Sequence, residues 1–412
     1  MNTPLSVIVV RQGPPADSEL FAAALRKAFL GCEKTESYAA ADYELLNPVD
    51  FRVFSTATLG KAGSTRRLFP DDHKETIAQN STHLLVVLII AVPDTNEARQ
   101  MILEWGRFAK THPRSTVIIF AVGSARPIPI PENLPRHRMP SLGLDDLDER
   151  DLRRDFLALH SLHRALQMLS AAGREAKTTS TKAPKTTLFF SHAKRDGVPL
   201  STSLVSWMSR LKGFKFFYDT ISLDLGGDIN TQLERAVEGS VVVVLRTEIF
   251  DQRYWCQKEV YWAEKHNVPV IAVDARWNVK IAPSVIALDS SPSVRIPDGS
   301  LVRILQAAFE EALRVALHRA RARLIAAQAT ISPESWFPIS RQPSMVSLES
   351  ARNFSLRLSQ PRRRTPFFVV YPNPPLPDGL RDSAASVCQR LIPKSKLVSL
   401  DEFRIHCLSL SR

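Results

Sequence analysis

Apolar and polar positions along this chain follow two alternating periods. Short runs rich in Val, Ile, Leu or Phe read as strands, too brief for helices. Between them, apolar residues recur every three or four positions, the spacing of one helical face. The first part predicts strands at Ser6–Val10, Phe51–Ser55, Leu84–Val92 and Thr116–Val122. Helices are predicted at Ser18–Leu30, capped by Asp17 or Ser18, and at Glu97–Lys110. A Pro-rich loop, PIPIPENLPRHRMP, then leads to a long helix at Asp148–Ala172, with Leu152, Phe156, Leu159, Leu162 and Leu166 on one face.

The middle of the chain repeats this plan. Strands are predicted at Thr187–Phe190, Phe214–Tyr218, Val241–Leu245 and Val268–Val273, followed by a Pro-bearing loop and a long helix from about Ser300 to Ala327. Strands alternating with helices imply parallel sheets covered on both faces. Element order, not residue identity, makes the first 173 residues a divergent copy of the middle unit. Glu104 falls near the position that Glu259 holds in the middle unit, without the residues that surround Glu259. Gly60 to Thr65 lacks the spacing of a phosphate-binding loop and reads as a flexible loop.

Composition shifts mark the boundaries. Residues 174–185 (REAKTTSTKAPK) are polar and aperiodic, a linker. Residues 329–365, with several prolines and the Arg362-Arg363-Arg364 triplet, read as a second, solvated linker. Residues 366–412 offer a strand at Phe367–Tyr371, a helix at Leu380–Leu391 and a short strand at Leu397–Leu400, too few to close a core. The expected organisation is therefore a divergent α/β domain over 1–173, an α/β domain over 186–328, and an incomplete α/β unit over 366–412. The arginine-rich stretch His318–Arg323 reads as the exposed face of a terminal helix.

Ligands of parallel α/β sheets bind where strand ends meet loops, at the carboxyl edge. The polar residues predicted there are Ser191 and His192, then Asp219, then Arg246 and Thr247. Trp255, Glu259 and Trp262 are spaced four and then three apart, so they share one helical face, and Cys256, Val260 and Ala263 repeat that spacing on a neighbouring face. A carboxylate between two indoles is oddly placed for a solvated surface, although an amphipathic helix with its Glu in water has the same spacing. Ser191 and His192 are sequence neighbours and do not form a nucleophile–base pair. Their role is contact with a phosphate or ribose. Lys194 and Arg195 either pair with a diphosphate or face solvent. Asp219 either holds its loop or touches a ribose.

The W-C-x-x-E of Trp255, Cys256 and Glu259, after FFSHAKRD and FYD, resembles a TIR domain of the bacterial, NAD-cleaving type. The resemblance covers roughly Thr186 to Asp274. It implies a flavodoxin-like sheet and cleavage of NAD, as substrate rather than bound cofactor, to nicotinamide and an ADP-ribose product. It places the catalytic glutamate on Glu259, the first-strand motif on Phe190, Ser191 and Asp196, and a mobile loop on Asp219 to Asp228. The substrate-binding set expected from both lines of reasoning is Phe190, Ser191, His192, Arg195, Asp219 and Trp255. The sequence departs from the family pattern at Arg253 and at Leu245-Arg246-Thr247. The resemblance further implies a defence-signalling role gated by self-association, with an activating ligand or protein that the sequence does not identify. The alternative is a non-catalytic signalling scaffold working through contacts between like domains.

Composition narrows the remaining classes. At 412 residues, two or three domains are expected. A net charge of +12 favours polyanions and keeps a nucleic-acid sensor open as a third reading. Four scattered cysteines with no C-x-x-C or other metal-ligand spacing suit a reducing cytoplasm and predict no metal site. The apolar run at Leu84–Val92 is far below the roughly 20 residues that span a bilayer, so no membrane segment is expected.

Overall fold

The computed structural model describes residues 3–12, 15–30, 49–55, 71–91, 95–122, 128–135, 141–142, 150–172, 186–208, 215–217, 228–276, 288, 291–295, 301–358 and 366–410. Gly60 to Thr65, the 174–185 linker, Asp219 and the Gly226-Gly227 pair lie outside these residues. The chain divides into two units, Met1–Ala183 and Pro184–Arg412, both α/β.

The first unit carries β1 (Thr3–Gln12), α1 (Pro15–Leu30), β2 (Val49–Ser55), α2 (Asp71–Gln79), β3 (Ser81–Ile90), α3 (Asn96–Thr111), β4 (Ser115–Ala121), β5 (Ser141–Leu142) and α4 (Arg150–Ala172). Its sheet is parallel throughout, in the order β2-β1-β3-β4-β5. Central β3 is buried over eight successive residues, as a strand covered on both faces must be. Val86, Leu88 and Ile90 pack against Met101, Ile102 and Trp105 of α3. The α3 N-terminus is fixed by Thr95, whose hydroxyl accepts from the Ala98 amide at 3.1 Å.

The second unit opens with β6 (Thr187–His192), α5 (Val198–Met208), β7 (Lys215–Phe217), α6 (Ile229–Glu238), β8 (Ser240–Arg246), α7 (Tyr254–Lys265), β9 (Val270–Asp274), β10 (Ser293–Arg295) and α8 (Leu301–Gln328). This sheet is also parallel, in the order β7-β6-β8-β9-β10. Numbered within each unit, both sheets run 2-1-3-4-5. The chain reverses direction across the sheet between its first and third strands, which opens a crevice at the carboxyl edge there. In both sheets the fifth strand is a short edge piece that the apolar pattern did not predict, at two and three residues.

The expected linker at 329–365 is not one. Among its described residues, a strand β11 (Trp336–Pro338) and a helix α9 (Met345–Arg357) precede β12 (Phe367–Tyr371), α10 (Asp378–Leu391), β13 (Ser395–Ser399) and α11 (Leu400–Leu410). The strands form a parallel sheet in the order β11-β12-β13. Alternation divides its faces: Phe367, Val369 and Tyr371 meet Leu348 and Ala351 of α9 and Cys388 of α10. Phe368 and Val370 meet Ala322, Ile325 and Ala326 of α8 and Phe403 and Cys407 of α11. The expected incomplete unit is thus closed by residues from the supposed linker on one face and by the end of α8 on the other. Leu400 to Leu410, of which only the first residue was placed in a strand, is helix.

This closure also corrects the exposed reading of His318–Arg323, which holds only for Arg323 at its end. His318 is buried, with Nε2 3.4 Å from the Val370 carbonyl, and Arg319 donates to the Asn267 carbonyl at 2.5 Å. Two turns before His318, the Glu311 carboxylate is almost fully enclosed. It accepts from Arg314 at 2.7 and 2.8 Å and lies 3.7 Å from Arg341 Nε. Arg341 in turn donates to the Val270 carbonyl and to Ser291, each within 2.8 Å, and so ties the β11 end to the central sheet. Asn267, at the end of the α7 turn, takes a left-handed φ of 55°, which Asn tolerates better than most residues.

Two outcomes follow from this wiring. Glu311→Ala leaves two arginines without their buried counter-charge and lowers unfolding free energy by about 3–5 kcal/mol in urea titrations. Ending the chain at Thr330 uncovers Ile325, Ala326 and His318, and yields a protein that binds a hydrophobic dye and melts without cooperativity. His318 also makes stability pH-dependent: burial, then the charge of Arg314, lowers its pKa from 6.5 to about 3. Unfolding therefore takes up a proton below pH 6.5, and stability present above that pH is lost as pH falls toward 3. His318→Gln flattens that part of the stability profile.

Candidate functional site

The candidate site lies at the carboxyl edge of the central sheet. Ser191 is the fifth of six residues in β6, with β8 hydrogen-bonded beside it through the Ser191–Val244 register. Helix α7 begins just past β8, after a one-turn 3-10 segment at Phe250–Gln252. Phe250 is wholly buried and Cys256, Val260 and Ala263 face the sheet, so the helix is seated by its apolar stripe. That seating turns Glu259 inward. Its side chain is buried at 8% exposure, and the Ser191 hydroxyl donates to Glu259 Oε2 at 2.5 Å.

Charge-assisted hydrogen bonds of this length are among the stronger ones in proteins. Ser191 is fully enclosed, so the side chain its hydroxyl meets is Glu259, where the expectation was a phosphate or ribose. Phe190 is also enclosed, at 2% exposure, and contributes a wall. His192 is buried, its Nδ1 3.4 Å from the Phe190 carbonyl. Arg195 is exposed on the loop that follows. Trp255 is exposed at 43%, one turn before Glu259, with its ring edge-on to Tyr254 at 5.7 Å. Trp262 is not paired with it at a site rim: it is buried in the core with Val260 and Val268. The structure thus brings Ser191 and Glu259 together, encloses Phe190 and His192 nearby, and leaves Arg195 and Trp255 open to solvent.

The thiol of Cys256 is pushed up to about 12, first by burial and then by the negative charge of Glu259. This thiol is protonated and inert at neutral pH. Lys258 lies 5.1–5.4 Å from the ring centres of Tyr254, Trp255 and Trp262 and donates to Asn230 Oδ1.

Charged residues at the ends of β8 and β9 pair with each other. Arg246 is buried and grips Asp251 through three contacts of 2.8–3.2 Å. Arg276 grips Asp274 at 2.7 Å through both Nε and Nη2, and this partner holds the Asp274 carboxyl below the usual range. The Thr247 hydroxyl donates to Asp196 Oδ1 at 2.7 Å, and the Ile249 amide donates to Asp196 Oδ2 at 3.3 Å. Sequence reasoning placed Arg246 and Thr247 at the edge but not their partners. The Arg246–Asp251 separation of five residues carries no periodic signal.

In the first unit, α3 occupies the same place in the strand order as α7. Its Glu104 is also buried, yet Lys74 of α2 lies 3.5 Å from Oε2 and Gln100 donates to Oε1 at 3.2 Å. That carboxylate sits in an ion pair whose lysine also lies 5.1 Å from the Trp105 ring centre.

No family model matches the chain, and no curated protein matches it. Among solved structures, the tagatose-6-phosphate ketose/aldose isomerase of Escherichia coli is similar at 13% identity, over 81% of this chain and 85% of that one. The TM-score is 0.21, too low to carry an argument about fold or activity. Among the described residues, no helix is long and apolar enough to cross a membrane.

The Ser191–Glu259 contact has a measurable signature. Ser191→Ala leaves a buried carboxylate without one of its donors and costs about 1–3 kcal/mol. A double-mutant cycle with Glu259→Gln gives a coupling of about 0.5–3 kcal/mol in urea unfolding, whereas independent sites add.

Proposed function

We propose that residues 186–328, within the second unit, form a TIR-type domain that cleaves NAD to nicotinamide and ADP-ribose or a cyclic isomer. The observation that carries this reading is the Glu259 carboxylate, buried at the crevice end of β6 and fixed by Ser191 at 2.5 Å. The 2-1-3-4-5 strand order, shared with flavodoxin-like sheets, supports it.

The chemistry suits one carboxylate. Most glycoside cleavage requires an acid to protonate the leaving oxygen. In NAD the nicotinamide is already cationic. The ribosyl C–N bond breaks with its electron pair going to the ring nitrogen, and nicotinamide departs neutral without a proton. Positive charge then builds on the ribose, and a fixed anion in a poorly solvated crevice stabilises it. Water adds to that cation and loses a proton to give ADP-ribose, or an adenine nitrogen adds instead to give a cyclic product. Glu259 supplies the anion, and Ser191 orients it. Arg195 and Trp255 are the solvent-facing residues that meet the diphosphate and a base. The buried Lys74–Glu104 pair suits a first unit that takes no part in the chemistry. The proposed setting is cytoplasmic defence signalling, with activity gated by self-association.

A second reading, a docking module without catalysis, is favoured by one observation. Ile229, Tyr254, Trp255 and Tyr261 are large apolar residues exposed by 43–68% on α6 and α7.

Incubation of the purified protein with NAD separates the two. Nicotinamide release by wild type, falling at least about 100-fold in a folded Glu259→Gln variant, is expected for the enzyme. Equal turnover by the variant removes Glu259 from the mechanism. Silence of the wild type across a range of protein concentrations leaves the docking module.

A further inference from the structure

The loop after β6 and the loop after β8 are joined by one side chain. Asp196 belongs to the first and reaches both the Thr247 hydroxyl and the Ile249 amide of the second, at 2.7 and 3.3 Å. Its own loop is closed by the Gly197 amide donating to the Ala193 carbonyl at 2.8 Å. A Cβ at position 197 would stand 3.0 Å from that same carbonyl, so the tight turn presenting Asp196 requires glycine there. Ile249 leads directly into buried Phe250 and the start of α7.

We infer that Asp196 is a positioning residue for Glu259. The connection forms a closed ring: Ser191, the β6 loop, Asp196, Ile249, the first two turns of α7, and Glu259 returning to the Ser191 hydroxyl. Every link is a covalent segment or a hydrogen bond. Release of the Asp196 link frees the start of α7, which has no side-chain cap at Arg253. Glu259 then drifts relative to the strand end that presents Ser191. The inference rests on the proposed NAD chemistry for its kinetic consequence, and on the geometry alone for its mechanical one.

Asparagine separates positioning from charge. A clamp needs an acceptor for the Ile249 amide and any partner for the Thr247 hydroxyl. The Asn carbonyl supplies the first, and its amide can donate to the hydroxyl oxygen. In the 412-residue chain, Asp196→Ala is expected to lower kcat for nicotinamide release by about 100-fold with KM within about twofold. Amide exchange over residues 257–260, the first amides bonded within the helix, is expected to rise at least about tenfold in the same variant. Asp196→Asn stays near wild type in both measurements. Thr247→Val, which keeps the shape and removes one donor, gives the Ala pattern at smaller size and answers the question if Asp196→Ala does not fold. The inference is overturned if Asn falls as far as Ala, if Ala changes only KM, or if exchange at α7 does not move. Should the wild type cleave no NAD, the functional reading fails by itself, and the exchange of Ala against Asn still decides the clamp.

Discussion

Burying one carboxylate at the open end of a parallel sheet constrains everything around it. An ionised Glu removed from water is costly unless donors replace the solvent. Here Ser191, itself fully enclosed, supplies such a donor to Glu259 from the end of a neighbouring strand. That solution works only if α7 lies at a fixed height above β6. The height is set by Phe250, Cys256, Val260 and Ala263 beneath the helix and by the Asp196 link at its start. The far end of α7 is braced as well: Ser350 of α9 donates to the Lys265 carbonyl at 2.7 Å, and the adjoining turn at Asn267 accepts from Arg319 and Ser340. The three-stranded sheet is therefore part of what holds the acid-bearing helix.

The two units bury a glutamate at the same point of the fold. Each has a 2-1-3-4-5 sheet, and each buries a glutamate on the helix after its third strand. Glu104 is neutralised by a buried lysine at 3.5 Å, an arrangement that fixes packing and cancels the local field. At Glu259 the Ser191 hydroxyl donates to Oε2, and a hydroxyl orients an anion without cancelling it.

Much of this was legible in the sequence, for a physical reason. Strands covered on both faces are continuous apolar runs, so Val241–Leu245 and Leu84–Val92 stood out within a few residues of β8 and β3. The spacing of Cys256, Val260 and Ala263 located the face of α7 that meets the sheet, and left open whether Glu259 on the neighbouring face turned inward or to water. The same spacing misplaced Trp262, because residues three apart on a helix diverge enough for one to reach a site and the other the core. Strand β11 has only three residues, and α9 is a Ser-rich helix flanked by prolines. Neither carries enough apolar repetition to register, so a structured segment read as linker. His318 and Arg319 looked exposed because a charged stretch reads as solvated until the surface covering it is known. The Ser191–Glu259 contact spans 68 positions, and only the strand order brings it together.

The pairing of the edge arginines bears on whether a single acid suffices. A substrate that becomes positive at its sugar is opposed by any uncompensated cation nearby, and such opposition is strong where water is scarce. Arg246 and Arg276 stand at the ends of β8 and β9, next to the strand that carries Ser191 or one strand further. Left open, both would weaken the field of Glu259. Each instead holds a carboxylate in a two-oxygen grip, through Asp251 and Asp274. Such pairs contribute little net charge beyond their own dimensions while keeping the loop after β8 in place. Arg246 brings its own counter-ion five residues on, and under the proposed NAD chemistry this leaves the Glu259 anion its influence over the sugar.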